Sequence, residues 1–209
     1  MEKTFTTRDV LVGVDIQNDF ISGSLAVTDG EAVIEPTNRI ANAVRAAEGT
    51  VAFTRDWHPE TTPHFENWPV HCVSETEGAA FAPDLTVLPS DYIISKGMEQ
   101  TDGYSGWEGV SENGDTLETL ITPNTSTESV RVFLGGLATD YCVKATGLDI
   151  ASFFRDDSRV TTYLIRDAVR AVALKEADEA NALAALKEAQ VIAISTEEAL
   201  ALIQEDPNE

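Results

Sequence analysis

Cys142 closes the segment Gly135-Gly136-Leu137-Ala138-Thr139-Asp140-Tyr141-Cys142, and a thiol becomes a strong nucleophile once a neighbour takes its proton. The apolar run 130–134 is expected to carry the chain to the carboxyl edge of a sheet, where the paired glycines permit a tight strand-to-helix turn. Cys142 then falls in the first turn of the next helix. Unpaired backbone N–H groups there favour thiolate over thiol, and the same groups can hold an oxyanion. Packing as a small buried hydrophobe is the commoner fate of a free thiol, so this segment does not decide the matter by itself.

A thiol also needs a base and an orienting charge. Asp15 ends the apolar run 10–14, and Lys96 directly follows the run 92–95. A carboxylate at the edge of a buried strand is costly unless it is paired or functional. Desolvation raises its pKa, which suits it to accept a thiol proton, while the lysine can hold it and favour the thiolate. The plainer alternative is an ion pair that only fastens two strand ends.

The chain has three histidines, His58, His64 and His71, and Asp56 stands two residues before the first. In an extended segment, residues i and i+2 point to the same side, so Asp56 and His58 can grip one ion together. Imidazoles with one carboxylate suit a single divalent metal: zinc, with iron and manganese as alternatives. Cys72 adjoins His71, where a thiolate would be a further, softer donor.

The formal charge of −22 argues against nucleic acid and anionic membrane surfaces as partners and makes a small neutral substrate easier to accept than an anion. The two cysteines lack the spacing of a disulfide framework or a zinc ribbon. Residues 1–10 lack the apolar core of an export signal, and no segment approaches the roughly 20 apolar residues that span a bilayer. The expectation is a cytoplasmic protein with reduced thiols. Association of copies into a homo-oligomer is left open.

These groups must be positioned by the elements around them. The runs 10–14, 50–54, 92–95, 130–134, 161–165 and 191–194 are short, apolar and rich in β-branched residues, which predicts strands. Helical spacing covers 31–47, 139–154, 175–189 and 196–204, the last with Ser195 as N-cap. Apolar strands separated by helices imply an α/β fold: a three-layer α/β/α arrangement with a central, mainly parallel six-stranded sheet, in one domain over 1–209. Two long irregular regions, 55–90 and 96–125, start where strands end and are expected to line the crevice at the carboxyl edge.

Taken in order, Asp15-Ile16-Gln17-Asn18-Asp19-Phe20, Lys96-Gly97 and Gly135 to Val143 resemble the isochorismatase-like hydrolases over nearly the whole chain, and Arg166 to Ala171 resembles a late strand end of that family. Thr54-Arg55-Asp56-Trp57-His58-Pro59 and Trp68-Pro69-Val70-His71-Cys72-Val73 look like the metal segments of its nicotinamidase (pyrazinamidase) branch. The resemblance implies Asp15 as general base, Lys96 as its partner and Cys142 as nucleophile. It implies Asp56, His58 and His71 as metal ligands, with His64 matching an additional ligand of some members. It places Phe20, Trp68 and Tyr104 around the substrate ring, and the N–H groups of Ala138 and Cys142 as oxyanion donors beside a cis Leu137-Ala138 bond. The implied reaction is hydrolysis of nicotinamide, or a close pyridine or pyrazine carboxamide, within NAD salvage. An isochorismate-type ether or a carbamoyl or ureido amide is the alternative substrate on this fold, and a non-catalytic metabolite-binding protein is the alternative class.

Overall fold

The computed structural model describes residues 6–99 and 102–204. Residues 1–5 of the amino-terminal segment, positions 100 and 101 of the second long region, and 205–209 lie outside the described residues.

Six strands form one sheet: β1 (Thr6–Val14), β2 (Thr50–Asp56), β3 (Tyr92–Lys96), β4 (Glu128–Leu137), β5 (Val160–Arg170) and β6 (Ile192–Ile194). Their order is β3-β2-β1-β4-β5-β6, and every neighbouring pair is parallel. Apolar side chains that alternate along a strand must be covered on both faces. Leu11 and Phe133 pack on one face with Ile40 and Val44 of helix α2 (Ile34–Ala46) and Ile203 of α6 (Thr196–Gln204). Val10, Val12 and Val132 pack on the other face with Ile150 of α4 (Lys144–Phe153) and Leu186 of α5 (Asp178–Glu188). The result is the expected three-layer α/β/α arrangement.

The strand order reverses between β1 and β4, and in open parallel sheets the ligand crevice opens beyond the carboxyl ends at such a switch point. Both long irregular regions feed it. They also carry short elements that apolar periodicity did not reveal. These are a 3-10 turn over Pro63–Glu66, another over Gly106–Glu108, and helix α3 (Leu117–Ile121), which starts on a capping box between Thr116 and Thr119. A further one-turn helix, α1 (Asn18–Ile21), follows β1. α6 begins as expected: the Glu198 N–H donates to Ser195 Oγ, and the Ser195 N–H donates back to the Glu198 carboxylate.

The helical segment opens at Thr139 as expected and carries Cys142 in its first turn, though that turn is a π turn, Thr139–Val143, with α4 following directly at Lys144. One expectation needs correction: Gly135 and Gly136 do not make the strand-to-helix turn, since β4 runs on through both to Leu137. Gly136 sits at φ +111°, and a β-carbon there would collide with the Val14 carbonyl of β1. Gly136 therefore serves close approach of the two central strands, and Gly135 packs tightly on Ala168 of β5. Among the described residues, no helix is long and apolar enough to cross a membrane.

Candidate active site

Strand ends set the catalytic candidates side by side. Val14 pairs with Gly136, so Asp15 leaves β1 next to the point where β4 delivers Leu137. Asp56 and Lys96 are direct partners at the ends of β2 and β3. Asp15 itself turns into the left-handed region at φ +49°, unusual for a residue with a side chain and common where a site needs a group re-aimed. Its carboxylate is wholly buried, accepts a hydrogen bond of 2.6 Å from the Thr54 hydroxyl, and lies 2.8 Å from Lys96 Nζ.

The Lys96 ammonium is the hub. Besides its ion pair with Asp15 it donates to Asp56 Oδ1 at 2.5 Å and to the Gly103 carbonyl at 3.0 Å, and it stands 3.5 Å from Cys142 Sγ. Burial disfavours its charge, but Asp15, Asp56 and Cys142 around it outweigh that and hold its pKa well above 10.5. Burial pushes the Asp15 carboxyl above its ordinary 3.8, with Lys96 opposing. Burial also pushes the Cys142 thiol up, reinforced by the carboxylates of Asp15 and Asp56 and opposed by the Lys96 ammonium, so the proton is held on sulfur. Asp56 goes the other way: burial raises its pKa, but Lys96 and His58 outweigh burial and keep it well below the usual carboxylate range.

Asp15, Asp56 and Cys142 converge closely enough to suggest a second ion site, but Lys96 already supplies the positive charge among them.

The metal candidates occupy the other end. The ring nitrogens of His58, His64 and His71 approach within 4.8 Å of one another, all buried. Each ring is fixed through its outer nitrogen: His58 Nδ1 to the Gly97 carbonyl at 3.0 Å, His71 Nδ1 to the Pro69 carbonyl at 2.7 Å, and His64 Nδ1 to Asp102 Oδ1 at 2.7 Å. A carbonyl only accepts, so Nδ1 of His58 and of His71 carries the proton and Nε2 offers its lone pair. His58 Nε2 is buried and makes no hydrogen bond. Asp56 Oδ2 lies 3.8 Å from His58 Nε2 and 3.9 Å from His71 Nε2. Burial lowers the His71 pKa, which favours the neutral imidazole a metal requires. Three imidazoles and one carboxylate fit a divalent ion. Gly97 contributes by being small: at φ +66° it lies against the His58 ring, where a β-carbon would clash.

A narrow pocket joins the two ends, lined by Asp56, His64 and His71 at one side and by Ala138 and Cys142 at the other. Phe20, Trp68 and Tyr104 all reach its wall, and the Trp68 indole N–H donates to the Tyr104 hydroxyl at 2.9 Å. The peptide bond between Leu137 and Ala138 is cis. Cys72 stays apart: its N–H donates to Asp19 Oδ2, and its thiol faces the Gly78 carbonyl.

Sequence reasoning missed Tyr141, Leu25, Val172 and Asp102. Tyr141 crosses Trp68 edge-to-face at 4.9 Å and shares the pocket wall with Leu25 and Val172. Its position directly before Cys142 is a signal that was there to be used. Asp102 carries no such signal, because its partner lies 38 positions away.

Residues 9–198 match the Isochorismatase domain. A nicotinamidase/pyrazinamidase of Mycobacterium tuberculosis is 40% identical over 148 residues, spanning 66% of this chain and 76% of that protein. Among solved structures, a pyrazinamidase of Pyrococcus horikoshii in complex with zinc superposes with a TM-score of 0.75 at 33% identity, covering 90% of this chain and 99% of the other. A protein from L. infantum in complex with nicotinate gives 0.73 at 32% identity, covering 91% and 93%.

Proposed function

The chain belongs to the isochorismatase family, and from that premise we propose that it hydrolyses nicotinamide to nicotinate and ammonia through a thioester on Cys142, as a cytoplasmic enzyme of NAD salvage. One observation carries the reading. A single pocket has a three-imidazole centre at one end and a buried thiol at the other, with Asp56 between them. That spacing suits a substrate with a metal-seeking ring nitrogen and a carboxamide on the same ring. The relative solved with nicotinate and the relative solved with zinc support the two ends separately.

Asp56, His58, His64 and His71 would hold one divalent ion, zinc first among the candidates, which would bind the pyridine nitrogen and orient the ring. Phe20, Trp68 and Tyr104 flank the ring and exclude water from it. Asp15 takes the Cys142 thiol proton as sulfur attacks the carboxamide carbon. Burial raises the proton affinity of Asp15, which favours the transfer, and the Lys96 ammonium opposes the rise that burial imposes on the thiol. Lys96 stays an ammonium throughout and stabilises the developing thiolate. The oxyanion is received by the backbone N–H groups of Ala138 and Cys142. Asp15 returns its proton to the departing nitrogen, which leaves as ammonia. A water then gives a proton to Asp15 and its hydroxide to the acyl carbon, the C–S bond breaks, Asp15 returns that proton to the sulfur, and the acid departs as nicotinate and a solvent proton.

Ammonia release from nicotinamide tests the reading, with and without a chelator and beside Cys142→Ala. Nicotinate production that both treatments abolish is the expected result. No ammonia from zinc-loaded protein sinks it and turns attention to carbamoyl amides.

A further inference from the structure

Three consecutive residues of the loop after β3 touch three different parts of the site. Asp102 Oδ1 accepts from His64 Nδ1 at 2.7 Å, the Gly103 carbonyl accepts from Lys96 Nζ at 3.0 Å, and the Tyr104 hydroxyl accepts from Trp68 at 2.9 Å. The three imidazoles are therefore not held alike. His58 and His71 lean on backbone carbonyls, Gly97 and Pro69, whereas His64 leans on a carboxylate. The Asp102 side chain is 54% exposed, while His64 is 3% exposed. His64 also sits on its own short turn, Pro63–Glu66, capped by Thr62, rather than on a strand.

We propose that Asp102 is a positioning residue that makes His64 a competent third imidazole donor, so that docking of the segment 102–104 sets metal affinity and the pocket wall together. The inference rests on the metal reading above. A carboxylate on the outer nitrogen fixes which ring nitrogen carries the proton, orients the ring, and strengthens its donation to a metal; losing such a partner costs about 10–100-fold in metal affinity. Neither backbone carbonyl can be removed by a side-chain substitution. Asp102 is thus the outer partner of the three through which sequence change can tune the centre.

The test measures zinc affinity of the purified full chain by competition with a colorimetric chelator, for wild type, Asp102→Ala, Asp102→Asn and His64→Ala. Asp102→Ala is expected to weaken zinc binding about 10–100-fold. Asp102→Asn, which keeps an oxygen acceptor and loses the charge, is expected to fall between it and wild type. Visible absorption of the cobalt(II)-loaded proteins gives a second readout that a general loosening of the loop would not produce: the Asp102→Ala spectrum should shift towards that of His64→Ala. Wild-type affinity in Asp102→Ala alongside weakened binding in His64→Ala overturns this proposal alone. Wild-type affinity in both variants removes His64 from the ligand set and overturns it as well. Wild-type protein that takes up neither metal overturns the proposal together with the reading beneath it.

Discussion

The two ends of the pocket are built in different ways. At the thiol end, Asp15, Lys96 and Cys142 come from the ends of β1 and β3 and from the turn after β4, and each is buried and braced by the sheet. At the imidazole end only Asp56 belongs to a strand; His58, His64 and His71 all lie in the long segment between β2 and β3. The sheet positions the groups proposed to react, where small displacements would cost rate. Loops carry the proposed ligands, each aimed by the hydrogen bond on its outer nitrogen. The difference teaches that strand pairing is spent on the proposed chemistry and side-chain hydrogen bonding on the proposed metal.

The largest effect should come from Cys142→Ala. Activity is expected to fall by roughly 10⁴–10⁶-fold, with zinc uptake unchanged; loss of zinc uptake in the same variant would break the division between the two ends. Lys96→Met leaves Asp15 and Asp56 buried without their shared counter-charge, and removing one partner of a buried pair costs about 3–5 kcal/mol. Chemical denaturation of the variant should show that loss, and an unfolding free energy equal to wild type would mean that Lys96 is not the hub. His58→Ala should weaken zinc binding by about 100-fold or more, since a ligand counts for more than an outer partner. Its melting temperature without metal should also fall, because the lost ring is wholly buried and leaves a cavity and an unpaired Gly97 carbonyl.

The smallest effect concerns proton affinity. The Thr54 hydroxyl donates to Asp15 and favours its charged form, while burial does the opposite and prevails. Asp15 must be ionised to take the thiol proton, so the acid limb of kcat/KM should lie above pH 3.8. Thr54→Val removes the donor, raises the Asp15 pKa further, and should move that limb upward by roughly one pH unit or less. A downward shift would show that Asp15 is not the group being titrated.

The strands were legible because apolar β-branched runs announce buried parallel strands. Their polar ends were not: β1 starts at Thr6 and β4 at Glu128, where backbone pairing continues after the apolar signal stops. β5 runs to Arg170 although Arg166 and Asp167 are exposed, because its pairing with β4 breaks register after Leu134 and resumes at Gly136. The candidate residues could be picked out for a related reason. Asp15, Asp56 and Lys96 are charges at the ends of apolar runs, and the histidines cluster in one segment. Cys142 lies in the opening helical turn as its spacing implied, but that spacing does not distinguish a π turn from an α turn. Asp102 was invisible because its role exists only once two distant loops meet.

Asp56 has one oxygen on Lys96 and the other facing the imidazoles. Anyone redesigning this scaffold to work without an ion can replace the three histidines, but not the carboxylate beside them. The buried ammonium would still need it. Metal dependence and the charge balance of the thiol end are thus separable at His58, His64 and His71, and inseparable at Asp56.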